Sequence, residues 1–176
     1  ALIESLADAD EQCRVAAAGS LGCIDPIGTG DLALPVLLET SRSGQARAAA
    51  VSALAPFGRN GKAAVPEIVA LLTDPDANLR RSAASAAKAI GPEARAALPP
   101  LSKLLNDHDP PCRVGASAAM LAIDFAACKD AALPVLIASL KEGNDYANRV
   151  LAITTRPVWR GRRGEPSAGP AGADRR

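Results

Sequence analysis

One histidine, His108, stands between Asp107 and Asp109, a grouping that suggests a metal ligand or a general base. No second His, Cys or Glu recurs at ligand spacing around it, so a solvated turn residue is the simpler reading. Four cysteines, Cys13, Cys23, Cys112 and Cys128, form no C-x-x-C pair. They read as reduced, mostly buried small hydrophobes, in keeping with a cytoplasmic setting, and not as a zinc or redox site. The most regular chemistry-bearing feature is a column of arginines. Arg14, Arg47, Arg80 and Arg113 follow one another at intervals of 33 residues, with Arg149 a further 36 on. Such a column could hold anions or pair with carboxylates.

A strict interval implies a repeated structural unit that positions these residues. Pro35, Pro66, Pro99 and Pro134 form a second column, spaced 31, 33 and 35 residues apart. Each unit has a small-residue lead-in with Pro, an apolar stretch, an acidic loop, then Arg and an Ala-rich stretch. Pro66 with Ile68, Leu71 and Leu72 reads as the opening of a first helix. Pro99 with Leu101, Leu104 and Leu105, and Pro134 with Leu136, Ile137 and Leu140, repeat the pattern. Turns such as Asp74-Pro75-Asp76 and Asp107-His108-Asp109-Pro110 stop that helix and can cap the next. The second helix is predicted to run from each Arg through Ala17, Ala50, Ala83 and Ala116 to Ile24, Phe57, Ile90 and Ile123. Gly58 and Gly91 then fall where an αL cap is wanted.

Each unit is thus a helical hairpin, and one hairpin buries too little to offset the conformational entropy of its residues. The expected fold is all-α, an α-solenoid of about five stacked helical hairpins. Units are expected at about 1–30, 31–62, 63–95, 96–130 and 131–155. Pro and Leu in the first helix, Asp in the loop, and Arg-x-x-Ala-x-x-Ala-Leu in the second resemble HEAT repeats. The short 33-residue form is similar to the type found in phycobilisome lyases. The resemblance implies that Arg14, Arg80 and Arg113 reach loop carboxylates such as Asp8, Asp74 and Asp107, tying repeats together. It also implies a non-catalytic scaffold, without a cofactor or metal, that binds a protein or peptide along a concave face lined by second helices. Val15, Ala48, Arg81 and Val114 are expected there, with Ser82, Ser85 and Lys88 nearby. A bilin lyase or lyase subunit is the alternative the resemblance offers. The paired His-Glu motifs of proteins resembling deoxyhypusine hydroxylase are missing.

The repeat pattern is broken in three places. Ala1-Leu2-Ile3 aligns with residues just after the repeat Pro, which predicts that the first helix is cut and that further repeats precede it. Unit two has a loop shorter by two residues, Ser41 to Gln45, and lacks the loop Asp. Unit five meets Arg156-Pro157 where Ala or Leu is expected, and residues 156–176 read as a disordered basic tail. The Arg, Gly, Pro and Ala of this tail suit an out-of-frame extension of an interrupted array.

The charge divides at the same point. The chain has 20 basic and 19 acidic residues, and six Arg from Arg156 onward face only Glu165 and Asp174. The body before them therefore keeps 14 basic against 17 acidic residues, net −3. With Phe57, Phe125, Tyr146 and Trp159 as the whole aromatic complement, the body lacks the basic, stacking surface that nucleic acid requires. Only the tail offers a lower-ranked route to nucleic acid. No run of about 18 apolar residues suggests a membrane span.

Overall fold

The computed structural model describes residues 1–43 and 45–141, and every regular element among them is helical. After a 3₁₀ turn at Glu4–Ala7 come α1 (Glu11–Ile24), α2 (Gly30–Ser43), α3 (Arg47–Ser52) and α4 (Val65–Leu71). They are followed by α5 (Ala77–Ile90), α6 (Leu98–Leu104), α7 (Pro110–Ile123) and α8 (Phe125–Lys141). The hairpins stack in chain order, α3 against α5, α5 against α7 and α7 against α8. The predicted second helix of unit five and the tail lie outside the described residues.

The acidic loops form their helices as their chemistry requires. Asp10, Asp76 and Asp109 each sit at an N-cap and accept a backbone N–H of the first turn, from Gln12, Asn78 and Cys112 respectively. Two residues earlier, Asp8, Asp74 and Asp107 accept the N–H of those same capping aspartates at 2.8, 2.9 and 2.8 Å. Each D-x-D turn therefore satisfies two donors. Gly58 and Gly91 take the expected positive φ, 50° and 71°, but with ψ at −129° and −135°. This is a different glycine-dependent conformation from the αL cap.

Small side chains let the repeats approach closely. A Cβ placed on Gly19 would lie 3.2 Å from that of Ala53, and one on Gly115 would lie 3.6 Å from that of Ala84. Between these helices runs one core, including Leu37, Leu54, Phe57, Ile68, Leu72, Ile90 and Leu101, all at most 1% exposed. Aliphatic burial of this kind is the main stabilising term.

Several expectations are corrected. Pro66 and Pro99 do stand in the first turns of α4 and α6, but Pro134 lies inside α8. The lead-in Phe125–Leu133 has neither Gly nor Pro, and Asp124 accepts the Ala127 N–H, so that helix starts early. α3 ends at Ser52 instead of reaching Phe57, because Pro56 has no N–H to donate to the Ser52 carbonyl, and a 3₁₀ segment, Ala55–Ala64, follows. Phe57 is nonetheless buried; Ile24, its counterpart in the first repeat, is 71% exposed. Phe57 packs over Gly22 of the preceding repeat, and Ile90 over Gly61. Ile24 has no preceding hairpin among the described residues. The same cause exposes Cys13, whose counterparts Ala46, Leu79 and Cys112 are all buried. Cys23 is exposed too, so only Cys112 and Cys128 are buried as expected.

Candidate functional site

The arginine column sits at the loop edge of the stack, where Arg47 and Arg80 each serve two repeats. Within its own loop, Arg80 donates from Nη1 to the backbone carbonyls of Asp74 and Pro75, at 2.9 and 2.8 Å. Arg14 does the same with Asp8 and Ala9, and Arg113 with Asp107 and His108. The carboxylate contact goes to the following repeat. Arg47 reaches Asp74 at 2.9 Å, and Arg80 forks onto both Asp107 oxygens at 2.8 and 2.9 Å. The expected pairing of Arg80 with the Asp74 carboxylate is thus displaced by one repeat, because the guanidinium already spends its inner edge on its own loop backbone.

Burial alone would push the Asp107 carboxyl up, but hydrogen bonds from Arg80 and from the Asp109 N–H hold it below its ordinary value. Asp74 is held low first by the Asp76 N–H and then, against burial, by Arg47. In repeat two Ser41 and Ser43 stand at the positions of the two loop aspartates, and a residue from elsewhere takes over the capping role that Asp10 and Asp76 have toward Gln12 and Asn78. Glu11 Oε2, from the preceding repeat, accepts the N–H groups of Gln45 and Ala46 at 2.9 and 3.4 Å.

On the second-helix face, two shallow depressions of about 760 and 450 Å³ share Ala48 and Ala49 and run into one another. The resulting groove crosses α1, α3 and α5 and ends at Pro111 of α7. Its floor is small, with Ala16, Ala48, Ala49, Ser52, Ser82 and Ser85. The Ser52 and Ser82 hydroxyls lie 3.1 Å apart, bridging two repeats.

Of the residues expected on this face, Arg81, Ser82 and Ser85 line the groove, and half-exposed Lys88 does not. Val114 is fully buried against Ala118 and Leu136, because α8 packs over α7 there. Val15 borders the groove but is only 5% exposed. Neither valine is a free surface residue. The Arg81 charge is answered within the protein, its Nε lying 3.6 Å from the Asp109 carboxylate and its Nη2 donating to Asn78 Oδ1.

Sequence reasoning missed an amide column on the groove wall. Gln12, Gln45 and Asn78 occur at the same 33-residue interval, two positions before Arg14, Arg47 and Arg80. That register is present in the sequence alone, carried by neutral side chains beside the charged column.

His108 is exposed, and its carbonyl serves Arg113. Among the described residues, no three His, Cys, Asp or Glu side chains converge as a metal site. No helix among them is long and apolar enough to cross a membrane.

These features define an α-solenoid in which an ion-pair ladder joins consecutive hairpins. The HEAT-repeat family profile matches residues 30–122, more than half of the chain, and the chain belongs to that family. The match is to HEAT repeats at large, whose common role is to mediate protein interactions. Among solved structures, a crystal structure of an engineered protein from the Northeast Structural Genomics Consortium is similar at 25% identity, with a TM-score of 0.61. The alignment covers 87% of this chain and 77% of that one. No curated protein matches the chain.

Proposed function

We propose that this chain is a non-catalytic interaction scaffold that holds a protein or peptide segment along its second-helix face. The observation that carries this reading is the groove running across three repeats, floored by Ala and Ser. Small side chains let a partner backbone approach closely, and they lose little rotamer freedom on binding. Arg47 and Arg80 are occupied with Asp74 and Asp107 of the following repeats, which supports a role for them in holding the array together.

Filling the groove tests the reading. Ser82→Arg places a long side chain over the groove floor at a half-exposed position. Affinity capture from the source lysate should yield a protein partner with the wild-type chain and lose it with the variant. Equal capture by both would place the binding surface elsewhere. A coloured tetrapyrrole in place of a protein would favour the bilin-lyase alternative.

A further inference from the structure

We propose that copies of this chain associate head to tail, the open face of the first repeat in one copy seating on the α8 end of the next. These surfaces are separate from the second-helix groove, so the proposal stands or falls independently of the scaffold reading. Three observations combine.

The first is where apolar surface is left uncovered. Among the described residues, the exposed large aliphatic and aromatic side chains are confined to the two ends of the array, five of them between Leu2 and Leu32, and Phe125 and Ile137 in α8. α1 and α8 occupy opposite ends of the stacking order. A repeat array stays solvated when its end units turn a polar face outward, and apolar patches rimmed by charge mark association surfaces.

The second is continuity with the contact that joins the repeats. Leu2 and Ile24 are 37% and 71% exposed, whereas Ile68 and Leu101, and Phe57, Ile90 and Ile123, at the same repeat positions are at most 3% exposed. Inside the array the preceding hairpin covers such positions, with Phe57 over Gly22 and Ile90 over Gly61. The first repeat therefore presents the receiving half of a contact the chain already makes. Seating the α8 end of a second copy on it continues the stacking order.

The third is charge. Residues 1–31 carry six Asp and Glu against Arg14 alone, net −5 in side chains. Those six carboxylates meet no Lys or Arg side chain among the described residues, and Asp10 and Asp25 stand at the two ends of α1, bracketing the face that holds Ile24. At the other end Asp107, Asp109 and Asp124 are answered by Arg80, Arg81 and Arg95. That leaves exposed Lys103, Lys129 and Lys141 against Asp130. Residues 142–176 add seven Arg against four Asp and Glu. An acidic apolar end and a basic apolar end on one chain attract each other between copies, while two acidic ends repel.

Sedimentation velocity of the full chain, under reducing conditions and over a wide range of concentration, tests this. Wild type should form dimers and then longer species as concentration rises, since a head-to-tail contact that does not close leaves both ends free. Ile24→Lys should weaken self-association about tenfold or more, and so should Phe125→Glu combined with Lys129→Glu. All three positions are exposed, so melting temperatures should match wild type. Mixing the two variants leaves one intact pair of surfaces, the α8 end of the first and the first repeat of the second, and should restore an association that stops at dimers. Salt at about 1 M, which cuts the screening length to about 3 Å, should weaken the wild-type contact.

A wild-type chain that stays monomeric at every concentration would overturn the proposal. Association lost in Ile24→Lys but kept in the Phe125→Glu, Lys129→Glu variant would replace it with pairing of two first repeats. Association indifferent to both variants, or a mixture that stays monomeric, would overturn it as well. Association unmoved by salt would overturn the charge pairing that sets the head-to-tail order.

Discussion

Arg80 of the third repeat grips both carboxylate oxygens of Asp107 in the fourth, while its remaining nitrogen holds the turn of its own loop through the carbonyls of Asp74 and Pro75. One side chain thus fixes a turn and the neighbouring hairpin's position at once. Arg47 repeats the arrangement one step earlier with Ser41 and Asp74. The ladder turns a stack held by non-directional apolar contact into one with a defined register.

Arg80→Ala should therefore cost about 2–3 kcal/mol, because it leaves one carboxylate and two turn carbonyls without their donor. With the Arg80 and Asp107 side chains only 15% and 8% exposed, solvent replaces these bonds poorly. The melting temperature should fall by roughly 5–10 °C. Arg80→Lys should recover less than half, since an ammonium cannot fork across both oxygens. Thermal denaturation followed by circular dichroism would decide the matter, and equal melting of wild type and Arg80→Ala would refute the assignment.

Acid should unfold the array through the same aspartates. The Asp74 and Asp107 carboxyls titrate lower in the folded chain than in the unfolded one, where a carboxyl lies near about 3.9. As pH falls, the unfolded chain therefore binds protons first. The stabilising contribution is whole at neutral pH, weakens as pH approaches about 4, and is lost once pH passes below the folded values. Urea midpoints measured between pH 7 and pH 3 should drop more steeply for wild type than for Asp107→Asn. Parallel curves would show that Asp107 is not a principal acid-sensitive group.

The 33-residue register made α5 and α7 legible from sequence, since their caps, periodic apolar residues and bounds agree within each unit. It also put Arg81, Ser82 and Ser85 on the groove. The direction of the ladder was not legible, because the motif shows only that Arg follows Asp by six residues; the three-dimensional stack decides which Asp each Arg meets. Glu11 was overlooked for a related reason. It takes the Gln45 N–H, the counterpart of those that Asp10 and Asp76 cap, where repeat two has Ser43 in place of Asp, a relation between positions 34 residues apart. Burial of Val114 depends on how α8 lies over α7, which no pattern within one helix reveals.

Thiol reactivity should separate the four cysteines into two pairs. Cys13 and Cys23 are exposed, and Cys112 and Cys128 are buried. Burial, with the nearby Asp109, pushes the Cys112 thiol up to about 12, leaving almost no thiolate at neutral pH. A disulfide reagent should titrate two thiols in the native chain and four after denaturation. Cys13 should react more slowly than a free thiol at neutral pH, because Asp10 raises its pKa. Four rapidly reacting thiols in the folded chain would contradict the packing of Cys112 against the preceding repeat.

Gly22 should be the glycine least tolerant of a methyl group in the first repeat. A Cβ there would lie 2.5 and 2.6 Å from Cε2 and Cζ of Phe57, a ring only 1% exposed and enclosed by the core. The ring has little room to withdraw, so Gly22→Ala should destabilise by about 1–3 kcal/mol despite alanine's better helix propensity. Gly30→Ala is the control, since the nearest atom to its added Cβ is Leu34 Cδ1 at 3.8 Å, ordinary contact. That variant should be neutral or more stable by a few tenths of a kcal/mol. Urea denaturation of the two variants compares them directly. If Gly22→Ala proved as stable as Gly30→Ala, Phe57 could not be the side chain that seats the second repeat on the first.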